Sequence, residues 1–161
     1  MAMICPAFAE GVFDSESMTG AWRGEGQLRP NPNVELERGV CRVEIAKGET
    51  DRELSLTGRC ANATKSARFK TVLTQLDGKG TVQAVSESRL TKGPVVLTGN
   101  AEDRTMRLQS RDPVTIKGQA YTVSLSFELQ SDKSRFSMVQ TLINVATGAS
   151  ETVLEMAFRK K

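Results

Sequence analysis

The stretch Gly20-Ala21-Trp22-Arg23-Gly24-Glu25-Gly26 contains the only tryptophan of the 161-residue chain. Its glycines alternate with larger residues, which is typical of a β-strand in which one face carries little besides Trp22. Glycine inside a strand marks a place where another backbone or a ring lies close. The stretch therefore predicts a strand with a bare inner face that packs around one indole.

Nine further segments have the character of short strands. They are rich in Val, Leu, Phe and Thr and are separated by turn residues, and they span 40–47, 53–60, 69–76, 81–88, 95–101, 104–110, 120–130, 135–143 and 152–159. The clearest alternation places Tyr121, Phe127 and the apolar residues between them on one face and polar residues on the other. No segment predicts a helix. A series of about ten strands joined by short turns predicts an all-β fold, either an antiparallel up-and-down barrel or a sandwich.

The cysteine pattern allows a register to be predicted. Residues 40–47 and 53–60 both alternate, and a tight turn centred on Thr50-Asp51 would place Cys41 directly opposite Cys60. Opposed Cα atoms in an antiparallel pair lie about 4.5–5.5 Å apart, which overlaps the range that a disulfide tolerates. We therefore expect a Cys41–Cys60 disulfide, and the alternative is a pair of reduced cysteines packed in the core.

The N-terminus predicts export. Residues Met1 to Ala9 carry no charge and end in Ala7-Phe8-Ala9, which has the small-x-small form of a signal-peptidase site. We expect residues 1–9 to be the remnant of a signal peptide and residues 10–161 to be a single barrel domain. Removal of this segment would leave an even pair of cysteines, as an oxidising compartment favours. The expected location is periplasmic or secreted, and the alternative is an apolar N-terminus of a cytosolic protein.

Composition excludes several function classes. The chain carries 22 Lys and Arg against 19 Asp and Glu, with the signs interspersed, and only 5% aromatic residues, so we expect no nucleic-acid partner. No run approaches the roughly 20 apolar residues of a membrane span. The chain has no histidine, which removes the commonest general base and a preferred zinc ligand. It also lacks Cys-x-x-Cys, phosphate-loop and Gly-x-Ser-x-Gly motifs, and we expect a protein that is not an enzyme.

A Gly-x-Trp on the first strand of an antiparallel meander, with a basic residue at the end of the last strand, resembles the calycin superfamily of lipocalins and fatty-acid-binding proteins. In that superfamily the tryptophan closes one end of the barrel and the basic side chain packs across its ring. The resemblance implies structural roles for Gly20, Trp22, Gly24, Gly26 and Arg159. Lys160 is the alternative cation, because the apolar alternation of the last strand would turn Arg159 outward.

Within the superfamily, the Gly20-x-Trp22-x-Gly24-x-Gly26 spacing is most similar to nitrobindin, a ten-stranded haem-binding barrel. The axial ligand of that haem is a histidine, which this chain lacks, and the Arg-x-Tyr pair that holds a carboxylate in fatty-acid-binding proteins is missing too. The resemblance therefore implies a fold but no cofactor, and we expect no bound haem.

A ten-stranded barrel is wide enough to enclose a cavity, so we expect binding of a small apolar or amphipathic ligand. The candidate ligand-binding residues are the large or polar side chains of the inner face: Trp22, Tyr121, Phe127, Phe136, Met138, Gln140 and Met156. The alternative is a filled barrel that serves as a structural or protein-interaction module of the cell envelope. An interior below about 300 Å³ would argue against the ligand.

Overall fold

The computed structural model describes residues 15–77 and 79–161. A short helix, α1 (Ser15–Met18), precedes eleven strands. The strands are β1 (Gly20–Leu28), β2 (Glu37–Lys47), β3 (Glu53–Ala61), β4 (Ser66–Gln75), β5 (Thr81–Ser88), β6 (Val95–Glu102), β7 (Thr105–Ser110), β8 (Val114–Ile116), β9 (Gln119–Leu129), β10 (Arg135–Asn144) and β11 (Ser150–Lys160). The expected signal remnant at 1–9 lies outside the described residues.

Ten of these strands close into an antiparallel barrel. Each strand pairs with the next along the chain, β7 pairs with β9, and β11 returns to pair with β1. The remaining strand, β8, pairs only with β9. The predicted all-β, up-and-down, calycin-like barrel of about ten strands is confirmed, and its closure excludes the sandwich.

The sequence patterns missed two small elements. The helix α1 is four residues long, too short to show a helical period. The strand β8 has three residues and is joined to β9 by a tight turn in which Lys117 and Gly118 both adopt positive φ angles of 51° and 79°. Two consecutive residues with positive φ are the signature of a two-residue hairpin turn.

One end of the barrel is closed by packed aromatic rings. The rings of Trp22, Phe127 and Phe158 all surround Phe136, with centroids 4.8, 4.6 and 4.5 Å from its ring, and we call these four residues the aromatic floor. The helix α1 covers this floor, because Trp22 Nε1 donates a 2.8 Å hydrogen bond to the Met18 carbonyl. Trp22 is therefore buried with its one polar atom satisfied.

The glycines of β1 provide the bare inner face that the sequence predicts. A Cβ atom on Gly24 would lie 2.6 Å from a ring carbon of Phe158, and one on Gly26 would collide with the backbone oxygen of Glu155. Any larger residue would push the floor or β11 away from β1. This close approach is the physical reason for the glycine spacing.

The cation beside Trp22 is Lys160. Its Nζ lies 5.6 Å from the centroid of the Trp22 ring and donates a 3.0 Å hydrogen bond to the Ser17 carbonyl. The structural role that the resemblance gave to Arg159 was wrong, because the β1–β11 register runs without a bulge and alternation turns Arg159 to the exposed outer face.

The predicted disulfide is confirmed. Cys41 and Cys60 are bonded, with Cα atoms 4.0 Å apart. Their strands pair in the predicted register, which also sets Val43 opposite Gly58. The disulfide joins neighbouring strands, and on β1 the residue opposite Cys41 is Gly24, which in turn lies opposite the floor residue Phe158.

Candidate ligand cavity

A cavity of about 340 Å³ occupies the barrel between the aromatic floor and the opposite end. Its lining is mostly apolar and comes from every strand of the barrel. Four of the inner-face residues of β4 and β5 that border the space are small, which leaves room in the barrel: Ala67, Thr71, Ser86 and Ser88. The volume exceeds the roughly 300 Å³ at which small-molecule sites begin.

Few polar groups face the interior. The hydroxyls of Thr71 and Ser86 share a 2.9 Å hydrogen bond and so satisfy each other. The Gln140 amide, by contrast, makes no hydrogen bond to any described residue. In the described part of the chain every inaccessible side-chain N or O atom has a hydrogen-bond partner, so the atoms of the Gln140 amide are accessible. The amide therefore presents its donors and acceptor to the open space of the cavity.

The structure brings four of the seven candidate ligand-binding residues together. Phe127, Phe136, Met138 and Gln140 border the cavity. The other three candidates do not border it: Trp22, Tyr121 and Met156.

The three residues away from the cavity share its inner face but are packed elsewhere. Trp22 is itself part of the floor, and Met156 is buried in the middle of β11 between Gly26 of β1 and Met138 of β10. Tyr121 is buried near the other end of β9, opposite Val114 of β8 and Asn144 of β10. The side of the strand on which a residue lies is not enough to predict that the residue borders the cavity, because its position along the barrel and its neighbours also matter.

The cavity opens at the end opposite the floor. Five connections meet there, and we call them the mouth: 29–36, 62–65, 89–94, 111–118 (which contains β8) and 145–149. A surface groove of about 1350 Å³ runs between four of them, all but 145–149, and it shares Lys65, Leu90 and Ile116 with the cavity lining. A small molecule can therefore reach the interior from this end.

Arg29 organises the first mouth connection. Its Nε donates to the Thr152 carbonyl at 2.9 Å, and its Nη1 donates to the Val34 carbonyl at 3.1 Å and to the Pro32 carbonyl at 3.4 Å. Within the same loop, buried Asn31 accepts a 2.9 Å hydrogen bond from the backbone of Asn33. The Pro30-Asn31-Pro32-Asn33 stretch is thus tied to β11 as a defined edge of the mouth.

The mouth is basic. Its connections carry six basic and two acidic residues, whereas the four connections at the closed end (48–52, 76–80, 103–104 and 130–134) carry four basic and five acidic residues. Two of the mouth cations form ion pairs, Arg29 with Glu151 and Arg111 with Asp112. The other four form none with any residue that the structure describes: Lys65, Arg89, Lys92 and Lys117.

Sequence reasoning missed this segregation. Successive connections of a meander alternate between the two ends of a barrel, so charges sorted by end look interspersed along the chain. Summing the charges of every second connection along the sequence would have identified the basic end.

Two closed-end carboxylates have pKa values below their usual range. Backbone N–H groups of Lys79 and Thr81 hydrogen-bond to the Asp77 carboxylate and lower its pKa. The backbone N–H of Ser134 does the same for the pKa of Asp132. Both groups cap turns, and neither borders the cavity.

Among the described residues, no group of three or more metal-ligating side chains is positioned to hold an ion. In the same part of the chain, no helix has the length and apolar character needed to cross a bilayer.

Comparison with solved structures supports the fold. The crystal structure of Rv2717c from M. tuberculosis superimposes with a TM-score of 0.69, covering 90% of this chain and 93% of that chain at 12% sequence identity. At this identity the likeness concerns the fold alone. No protein-family model and no curated protein sequence matches the chain.

Proposed function

We propose that this protein binds a small apolar or amphipathic molecule inside its barrel, without catalysing a reaction on it. The observation that carries this proposal is the apolar cavity of about 340 Å³, which is open at the mouth and closed at the aromatic floor. Pockets that bury most of a small ligand combine an apolar lining with a few placed polar groups. Gln140 is such a group.

The cavity also bears on the alternative function. A structural module needs no internal space, and empty apolar volume in a core destabilises a fold in proportion to its size. A barrel that retains this volume is better explained by an occupant than by a filled core. An interaction of its outer surface with an envelope protein remains the second candidate.

A neutral fluorescent probe tests the proposal in solution. We expect N-phenyl-1-naphthylamine to gain fluorescence with the wild-type protein, and Leu125→Trp, which fills space from the cavity lining, to reduce the affinity at least about tenfold. The matched control is Ser126→Trp on the outer face of the same strand, which should bind the probe as the wild type does. Equal probe binding by both variants would rule out the cavity as the site.

The contribution of the Gln140 amide to ligand binding can be tested separately. A single hydrogen bond from the Gln140 amide contributes about 0.5–1.5 kcal/mol, so Gln140→Leu should weaken an amphipathic guest about two- to tenfold and leave a hydrocarbon guest unaffected or tighter. Isothermal titration with decanol and with decane-like probes distinguishes these outcomes.

Export is part of the proposal. The Cys41–Cys60 disulfide is consistent with an oxidising compartment. Native mass spectrometry of the protein recovered from its own cells should report an N-terminus at Glu10 and a non-covalent small-molecule adduct. Recovery of a chain that starts at Met1 would contradict the signal-peptide expectation.

A further inference from the structure

The mouth carries exposed apolar side chains as well as cations. Among the described residues, four large hydrophobic side chains are exposed, and Val34, Leu90 and Val145 all lie in mouth connections. The fourth, Leu76, lies at the closed end and is 48% exposed, against 50% for Leu90. Exposed apolar side chains beside cations at the entrance of a cavity suit a partner that is itself partly apolar and partly anionic.

The apolar and basic groups occupy one surface. Leu90 lies in the same connection as Arg89 and Lys92, and Val34 and Lys65 border the same groove from neighbouring loops. Arg89, Lys92 and Lys65 have no ion-pair partner within the described chain, so their charges are available to an external anion. The five mouth connections contain no aromatic residue, which disfavours base stacking and therefore a single-stranded nucleic acid.

We propose that the mouth docks onto an anionic lipid bilayer. Leu90 and Val34 would enter the headgroup region while the surrounding cations contact lipid phosphates, which is the combination that holds peripheral proteins at membrane surfaces. The consequence for the barrel, which rests on the proposed function, is that its guest passes between bilayer and cavity without crossing water.

Vesicle co-sedimentation tests the docking without any guest. We expect the full chain to sediment with vesicles that mix phosphatidylglycerol with phosphatidylcholine and to stay in solution with phosphatidylcholine alone. Binding should fall when salt is raised from about 0.1 M to about 1 M, since the Debye length shortens from about 10 Å to about 3 Å. No sedimentation with anionic vesicles, or tighter binding to a DNA oligonucleotide than to those vesicles, would overturn the proposal.

Charge-reversal variants locate the surface. Each basic residue near an anionic surface contributes about a fivefold gain in partition, so Arg89→Glu with Lys92→Glu should weaken vesicle binding at least about 25-fold. The matched control reverses two exposed closed-end cations, Arg52→Glu with Arg104→Glu, and should change binding far less. Equal losses in the two double variants would show a net-charge effect and would overturn docking by the mouth.

The apolar contribution has an equally matched pair. Leu90→Asp should weaken binding to anionic vesicles about tenfold, because a side chain that enters the bilayer boundary is lost. Leu76→Asp, at the other end and with nearly the same exposure, should leave binding within about twofold. Identical results for the two leucines would overturn insertion at the mouth.

The same samples separate this inference from the proposed function. Probe binding in solution reports the cavity and also shows that each variant is folded. Vesicle binding with no probe binding would contradict the proposed cavity function but not docking by the mouth. Probe binding with no vesicle binding would contradict docking by the mouth but not the cavity function.

Discussion

The two ends of the barrel are built from the same strands but are held together in different ways. At the closed end four aromatic rings pack around one another beneath α1 and Lys160. Toward the mouth the barrel encloses a cavity of about 340 Å³, and the Arg29 hydrogen bonds fix the first loop. The comparison indicates that close ring packing is confined to one end of the barrel, whereas hydrogen bonds hold a loop at the other.

The largest expected effect is at the aromatic floor. Trp22→Ala should lower the free energy of unfolding by about 3–5 kcal/mol, because it removes a fully buried ring and leaves a void against Phe136. Urea unfolding followed by far-UV circular dichroism measures it. Leu90→Ala at the mouth should stay within about 0.5 kcal/mol, and similar costs for both variants would break the contrast between the ends.

The disulfide tests whether the pairing of β2 with β3 needs a covalent link. The bond closes a loop with a sequence separation of 19 residues, and a loop of this size corresponds to about 3 kcal/mol. Cys41→Ala with Cys60→Ala should lose about that amount in urea unfolding followed by Trp22 fluorescence. Cys41 lies two residues along β2 from Val43, which is opposite Trp22, so the native emission of Trp22 also reports whether β2 keeps its place without the bond. We expect that emission to be retained before the transition, and a shifted native emission would show that the bond also positions β2 against the floor.

These two predictions rest on features that the sequence specifies to different degrees. Alternation and turn residues were enough to predict ten strands and the register that opposes Cys41 and Cys60, because local pattern fixes which face a residue occupies. The depth of a residue along the barrel is set by strand tilt and by its neighbours. For this reason Trp22, Tyr121 and Met156 could not be separated from the cavity lining.

The mouth was hidden from sequence reasoning for a topological reason. Lys65, Arg89, Lys92 and Lys117 lie in three separate connections, and closed-end turns with nearly balanced charge stand between those connections in the chain, so only the closed barrel gathers them. The Lys160 position shows the same limit on a smaller scale. Whether β11 bulges before its end decides between Arg159 and Lys160, and only the continuous register settles it.

Arg29 sharpens the comparison at the mouth. Its side chain is only 15% exposed and donates to three carbonyls, so Arg29→Met should cost about 1.5–3 kcal/mol in urea unfolding. The control is Arg23→Met, where a 41% exposed side chain makes a surface ion pair with Glu25 and should contribute at most about 1 kcal/mol. An equal cost at both sites would show that the mouth loop is held by its prolines rather than by Arg29.

The smallest effect belongs to a closed-end turn. The pKa of Asp77 is lowered by backbone N–H groups, so its charged form is favoured in the folded state. The stabilisation is fully present above the unfolded pKa of about 3.9 and is lost as pH falls through the lower folded pKa. Asp77→Asn should therefore be less stable than the wild type at pH about 6, with a difference that shrinks below pH about 4. If the stability difference between Asp77→Asn and the wild type did not change with pH, the carboxylate charge would not be its cause.

The pairing of β1 with β11 determines the order in which parts of the barrel can form. The hairpin of β2 and β3 is complete after its local turn, so the register that opposes its two thiols does not depend on the later strands. The floor must wait for the last strand, because Phe158 and Lys160 reach Trp22 only through a contact that spans almost the whole chain. Contacts of such long range slow folding. The first strand of the barrel to be made is therefore the last to be paired on both edges, and an unpaired strand edge is a template for aggregation until then.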